Sequence, residues 1–228
     1  MLDKLLKKLV YRNKQPQNAK HNCDILLELS NFSMSIHDCC LVSNLNFKVK
    51  KGDIIALLGK NGSGKTTLLR TIAGLNEHNN YTGNIILKSK IAYMPQVANI
   101  ADNIPITVGE FIELQTQHSD KKALDLLRIT PIINKQLKNV SGGQTQKVLF
   151  YNAINSGCDI VLLDEPENHL DNISVNIIID LIKSNTDKVF IVASHEYQKI
   201  VNCSNHVLEI NKSLIVCKQH NNNLNCLE

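Results

Sequence analysis

At 228 residues and a net charge of +4, the chain can bury an ordinary core in one or two domains, and its mild basicity (pI ≈ 8.6) singles out neither a nucleic-acid binder nor a membrane-surface protein. Aromatics are 4% and Trp is absent, so the core must be built from Leu, Ile and Val. Seven cysteines, an odd number without a C-x-x-C pair, argue against a disulfide framework and for a reducing compartment.

Residues 1–22 stand apart as a basic extension. Leu2, Leu5, Leu6 and Leu9 share one helical face, with Lys4, Lys7, Lys8 and Arg12 around it. Two readings are open: an amphipathic helix on an anionic membrane or partner, or a short terminal helix docked on its own domain. The apolar stretch and small-residue cleavage site of a signal peptide are missing. No apolar run approaches the ~18–20 residues of a transmembrane helix. A cytosolic protein is expected, one that acts at a membrane only through a partner.

Residues 23–228 are expected to form the main domain. Ile25–Leu29 and Leu45–Lys50 are strand-like, and Lys51-Gly52-Asp53 turns into the apolar run Ile54–Leu58, a buried parallel strand by composition. There follows Gly59-Lys60-Asn61-Gly62-Ser63-Gly64-Lys65-Thr66, which fits G-x-x-x-x-G-K-[ST]. Thr67 to Leu75 continues with helical spacing, so the motif lies between strand and helix. Its glycines let successive N–H groups face one anion, and the helix start adds its positive end. Lys65 is the candidate for the β/γ-phosphates of a nucleotide, and Thr66 for a Mg²⁺ ion; Thr67 completes the binding loop.

Thr82–Leu87 and Lys90–Met94 are two further strands, ended by Pro95-Gln96. From about 97 to 155 the pattern becomes helical, with stretches at Thr107–Gln115, Lys121–Arg128 and Ile132–Leu137, predicting an inserted helical subdomain. Ser141 is positioned to cap the helix that begins at Gly142. Ile160–Leu163 is a buried strand ending in Asp164 and Glu165. In a chain with a phosphate loop, Asp164 is the natural Mg²⁺ partner and Glu165 is placed to orient or deprotonate water. Ser174–Lys183 is an amphipathic helix and Val189–Ala193 a buried strand ending at Ser194-His195. Val207–Ile210 and Leu214–Cys217 form a terminal hairpin around Asn211-Lys212-Ser213. Strands alternating with helices predict an α/β fold with a mostly parallel sheet.

Ser141-Gly142-Gly143-Gln144 resembles the signature of ATP-binding-cassette proteins, and the motif order resembles theirs from about residue 25 to 217. The resemblance implies a phosphate-loop NTPase core with an N-terminal antiparallel β subdomain and the helical insertion. It implies ATP and Mg²⁺ as ligands. Gln96 resembles the glutamine that senses Mg²⁺ and γ-phosphate, Asp171 the acidic residue linking two sites, and His195 the switch histidine. Ser141, Gly142 and Gly143, with Gln144 behind them, resemble residues that bind the γ-phosphate of a nucleotide held by a second subunit. A homodimer sandwiching two ATP molecules is therefore implied, driving an integral-membrane permease, with a substrate-binding protein in the full complex and no nucleic acid. Where the family stacks adenine on an aromatic, this chain has Ile36, with Phe32 and His37 nearby.

Thr82-Gly83 leads almost directly into Lys90–Gln96, and Asn103–Val108 and Ser141–Leu149 resemble stretches of the ATPase subunits of zinc-type or manganese/iron-type importers. Cys217, His220 and Cys226 lack a standard zinc spacing. The alternatives are a cassette acting on ribosomes or nucleic acid, which Pro166–Asp171 resembles, an ATPase serving export or another transported substrate, and a nucleotide-binding module without turnover.

Overall fold

A computed structural model describes residues 24–36, 39–76, 81–96, 105–194, 197–211 and 214–219. The readings made for residues 1–22, His37, His195, His220 and Cys226, and for the side chain of Cys217, lie outside what is described.

Strands β1 (Ile25–Ile36), β2 (Cys39–Lys50) and, later in the chain, β4 (Tyr81–Leu87) form an antiparallel sheet ordered β2-β1-β4. β1 and β2 run far beyond the two short strands expected. Ser and Asn blur the alternation between residues 30 and 44, yet Phe32, Met34 and Val42 are buried there. Asn31 (φ 50°) and Asn44 (φ 48°) absorb the register shifts in a backbone region Asn tolerates.

The second sheet holds β3 (Ile54–Gly59), β5 (Ile91–Met94), β6 (Ile160–Asp164), β7 (Val189–Ala193), β8 (His206–Asn211) and β9 (Leu214–Gln219), in the order β5-β6-β7-β3-β8-β9. All neighbours are parallel except the terminal β8–β9 hairpin. β3, β6 and β7 are apolar on both faces because both are covered. Ala56, Leu58, Val161, Leu163, Phe190 and Val192 face one core, and Ile55, Leu57, Ile160, Leu162 and Ile191 face the other. The first core is closed by α2 (Val108–Gln115), α3 (Lys121–Leu126), α4 (Gly142–Ile154) and α5 (Asn172–Ser184). The second contains α1 (Lys65–Ile72) and the inner face of the antiparallel sheet. A short helix α6 (Tyr197–Val201) precedes β8.

The expected helix over Ile132–Leu137 is instead two single 3₁₀ turns, Thr130–Ile132 and Leu137–Asn139. Its backbone is used elsewhere. The carbonyls of Ile133 and Lys135 accept from Gly109 N (2.8 Å) and Val108 N (2.9 Å), satisfying the open N-terminus of α2. The N–H of Leu137 goes to Ile106 O (2.9 Å), so no continuous helical ladder is left to form.

Parallel pairing of β6, β7 and β3 brings their carboxyl ends to one edge. Asp164, Ser194 and Gly59 therefore emerge side by side, where open parallel sheets deliver ligand groups.

Candidate functional site

A cleft of about 620 Å³ opens at that edge, lined by Ile36, Asn61 through Thr67, Gln96, Glu165 and Asn168. The loop from Gly59 to Gly64 ends in a glycine that caps α1 without a side-chain hydrogen bond. Gly64 sits at φ 100°, and a Cβ there would meet Leu41 Cδ1 at 2.6 Å, so only glycine fits. The first N–H groups of α1 thus have no side-chain cap, an arrangement suited to an anion. Ser63 Oγ, buried in the same loop, has no hydrogen-bond partner. Lys65 is buried, and its Nζ donates to Gly59 O (2.7 Å) and Lys60 O (3.3 Å) across the loop. These donors and the orphaned hydroxyl fit a polyphosphate.

Opposite the loop stand the β6 carboxylates. Thr66 Oγ1 donates to Asp164 Oδ1 (3.1 Å), and Tyr93 Oη donates to Asp164 Oδ2 (3.1 Å). Two hard oxygens at the start of α1 and the end of β6 suit Mg²⁺. Asp164 is fully buried, and desolvation pushes its carboxyl above the usual carboxylate range; the Thr66 and Tyr93 hydroxyls oppose this, and Glu165 adds to it. Burial, then the neighbouring Asp164, pushes the Tyr93 phenol far above its ordinary value.

Glu165 turns the chain sharply at the strand end, with φ 51°. A left-handed residue other than glycine costs about 1–2 kcal/mol and persists only when its surroundings hold it. Here the Glu165 N–H donates to Ala193 O (2.8 Å), and its carbonyl accepts from Gln146 Nε2 (2.9 Å) and Asn168 N (3.2 Å). Its carboxylate accepts from Gln96 Nε2 and from Asn168 Nδ2, the latter at 2.8 Å. Further on, Glu167 Oε1 accepts from Ser194 Oγ (2.6 Å), tying this loop to the end of β7 next to His195.

The signature residues lie elsewhere. Ser141 caps α4 in a reciprocal pair with Gln144: Gln144 N donates to Ser141 Oγ (3.3 Å) and Ser141 N to Gln144 Oε1 (3.0 Å). Ser141 and Gly142 are exposed, and none of Ser141 to Gln144 lines the cleft. Asp171 caps α5 by accepting from Ser174 N (2.7 Å), and its hydrogen bonds to Ser174 hold its carboxyl below the usual range. So the loop, Gln96, Glu165 and Ile36 line one cleft, with Asp164 buried behind it and bonded to Thr66, whereas Ser141–Gln144 lie outside it and Ser141, Gly142 and Asp171 are exposed. Gly59 and Lys60 serve that cleft through carbonyls that hold Lys65. Three participants were not singled out from sequence: Tyr93, Gln146 and Asn168. Tyr93 lies three positions before Gln96, Gln146 two after Gln144 in the signature helix, and Asn168 three after Glu165, so each stood within a few residues of a residue that was singled out.

Residues 42–168 match the family model described as ABC transporter, more than half of the chain. The chain belongs to the ABC transporter family. This cassette is 32% identical over 203 residues to the zinc import ATP-binding protein ZnuC of Wolbachia sp. subsp. Brugia malayi (strain TRS), covering 84% of this chain and 82% of that one. It is 30% identical over 200 residues to a metal transport system ATP-binding protein of Thermotoga maritima, covering 83% and 82%. Among solved structures it resembles an inward-facing metal-chelate type ABC transporter, with TM-score 0.74 and 27% identity over 86% of this chain and 84% of that chain. The antiparallel sheet, parallel sheet and helices agree with the cassette fold. No helix of the described residues is long and apolar enough to cross a membrane.

The buried Asp164 gives the cassette a pH-dependent cost. Its folded pKa lies above the unfolded one, so the folded state binds the extra proton between them, and this contribution to stability falls as pH rises through that window. Asp164→Asn is expected to raise the nucleotide-free Tm at pH 7.5, because it removes the buried charge whose desolvation opposes folding. The variant's advantage should shrink near pH 4, and its turnover should be lost. Thermal melts of both proteins across pH check this; a lower Tm for the variant at pH 7.5 would contradict it.

Proposed function

We propose that this chain is the ATP-hydrolysing subunit of a metal importer, most specifically for zinc or a similar divalent ion, working as a homodimer against a separate membrane permease. The observation that carries this is the meeting of Lys65, Thr66, Gln96 and Glu165 in one cleft, with Asp164 bonded to Thr66 just behind it, in a chain whose similar relatives are named as zinc-import and metal-transport ATP-binding proteins.

Each residue has a role that follows from its position. The backbone N–H groups of Gly62 and of Gly64 to Thr67, with the Lys65 ammonium, bind the ATP phosphates, Lys65 exchanging its bonds to loop carbonyls for phosphate oxygens. Thr66 and Asp164, with Gln96 beside them, hold Mg²⁺, which when bound neutralises charge on the phosphates. Glu165 takes the proton of the attacking water, with Gln96 and Asn168 fixing its carboxylate. Ile36 offers the nucleotide base an apolar contact in place of a stack. His195 follows β7 and contacts the γ-phosphate.

Ser141, Gly142 and Gly143 lie outside the cleft of their own chain, which leaves each cleft without its signature donors. A second copy supplies them, with Asp171 at the same seam, and closure of the pair excludes water from both sites. Loss of the γ-phosphate contacts reopens the pair and moves the permease. The subunit then resides on the cytoplasmic face of the membrane through that permease, beside an external substrate-binding protein.

The test is isolation of the full chain from detergent-solubilised membranes of its own organism, followed by reconstitution with the co-purifying integral-membrane chain. ATP-dependent Zn²⁺ uptake into proteoliposomes, absent with Glu165→Gln, is the expected result. Recovery with ribosomes and without any permease would overturn the transport reading.

A further inference from the structure

We infer that Gln146 is a positioning residue for Glu165, so that the helix presenting the signature outward also sets the carboxylate in its own chain's cleft. This deepens the reading of Glu165 given above and rests on it. Gln146 is 3% exposed, an unusual setting for a glutamine, and its amide goes to a single backbone atom of the loop, Glu165 O at 2.9 Å. That atom belongs to the residue with φ 51°, whose N–H is already held by β7 through Ala193 O. Glu165 is thus clamped from both sides: by the sheet through its nitrogen and by α4 through its oxygen. The two clamps fix the turn that swings the carboxylate away from the strand direction and toward Gln96.

The same helix grips the loop a second time. A Cβ on Gly143 would lie 2.6 Å from His169 O, so the start of α4 and the loop after Glu165 are in direct backbone contact. His169 itself is left-handed, at φ 62°. Gly143 and Gln146, three positions apart and so on one face of α4, hold residues 165–169 as one body with the signature. A pull on Ser141–Gly143 by the second subunit's nucleotide is therefore transmitted to Glu165 by a side-chain hydrogen bond and a close backbone approach. Removing the Gln146 amide takes away the 2.9 Å bond to the Glu165 carbonyl and leaves it the longer one from Asn168 N at 3.2 Å, so the left-handed turn is held less firmly. A shift of about 1 Å at a group that orients water costs on the order of 10²-fold in rate.

The experiment uses the full chain and three variants, with each rate normalised to bound ATP so that only folded sites count. Gln146→Met keeps length and removes the donor. It is expected to lower kcat by about 10–100-fold with the KM for ATP within about twofold. Gln146→Glu restores a donor only when its carboxyl is protonated, so its rate relative to wild type should rise as pH is lowered from about 8 to about 6. A side chain that merely filled space would give no such pH response. A wild-type kcat in Gln146→Met, or a Gln146→Glu ratio that does not change with pH, overturns the inference. Glu165→Gln run alongside separates the two failures. If it also turns over at the wild-type rate, the reading of Glu165 falls; if it is inactive while Gln146→Met is not, only the role of Gln146 falls.

Discussion

Glu165→Gln is expected to lower ATP turnover by about 10²–10⁴-fold, the range a positioned general base contributes, while ATP binding stays within a few-fold of wild type. The carboxamide keeps the side chain's length. The backbone clamps on Glu165, from Ala193 O, Gln146 Nε2 and Asn168 N, do not involve the side chain and persist. Lys65, Thr66 and the loop amides, proposed to hold the phosphates, are untouched. What disappears is the carboxylate oxygen proposed to accept a proton from water. With γ-phosphate retained, the closed pair of subunits has no route to reopen, so an ATP-bound dimer should accumulate and be visible by size-exclusion chromatography. Turnover above about a tenth of wild type would mean that another group does this work.

Gly142→Asp is expected to abolish turnover by a different route. A Cβ on Gly142 would lie 3.7 Å from His169 Cγ, an ordinary contact, so the substitution is accommodated within its own chain. An Asp in the first turn of α4 is also favoured by the helix dipole. Across the dimer, however, it places a carboxylate where the other subunit's γ-phosphate is to be bound. Like charges brought together at an interface cost several kcal/mol, equivalent to roughly 10²–10³-fold or more. ATP binding to the variant's own phosphate loop should survive, as measured by fluorescent-nucleotide titration, and its Tm should hold. Normal turnover in Gly142→Asp would remove the signature from the hydrolytic site.

The parts of this molecule that were legible in its sequence are those where pattern and neighbourhood coincide along the chain. Ile54–Leu58, Ile160–Leu163 and Val189–Ala193 read as buried strands because both sheet faces are covered, which demands apolar residues at consecutive positions. The phosphate loop and the Asp164-Glu165 pair announce themselves because each is contiguous. The Ser141 cap is equally local, a hydroxyl and a glutamine three residues apart.

Illegible parts depend on partners far away in sequence. Residues 30–44 conceal two long strands because their strand pairing tolerates Asn31 and Asn44 in left-handed conformations, breaking the alternation. Ile132–Leu137 has helical apolar spacing, but its carbonyls are taken by the N-terminus of α2. Gln146 was visible only as one letter of a motif, since its partner is a main-chain oxygen 19 positions later. Asn168 sits in a stretch that resembles translation-type cassettes, yet its amide serves the Glu165 carboxylate. Tyr93 reads as a strand residue until β5 and β6 are paired, which brings its hydroxyl to Asp164. The placement of Ser141–Gly143 outside their own chain's cleft likewise gains meaning only with a second copy.

That second copy is the centre of the account, and one mixing experiment tests it most directly. Lys65→Ala, which removes the ammonium from the phosphate loop, and Gly142→Asp, which spoils the signature, should each be inactive alone. In a mixed dimer, one site combines the intact loop of the Gly142→Asp chain with the intact signature of the Lys65→Ala chain. Mixing the two purified variants should therefore restore ATP hydrolysis that neither shows alone, increasing with total protein concentration as dimers form. A mixture that stays as inactive as its components, although both variants bind each other, would contradict a site shared between two chains.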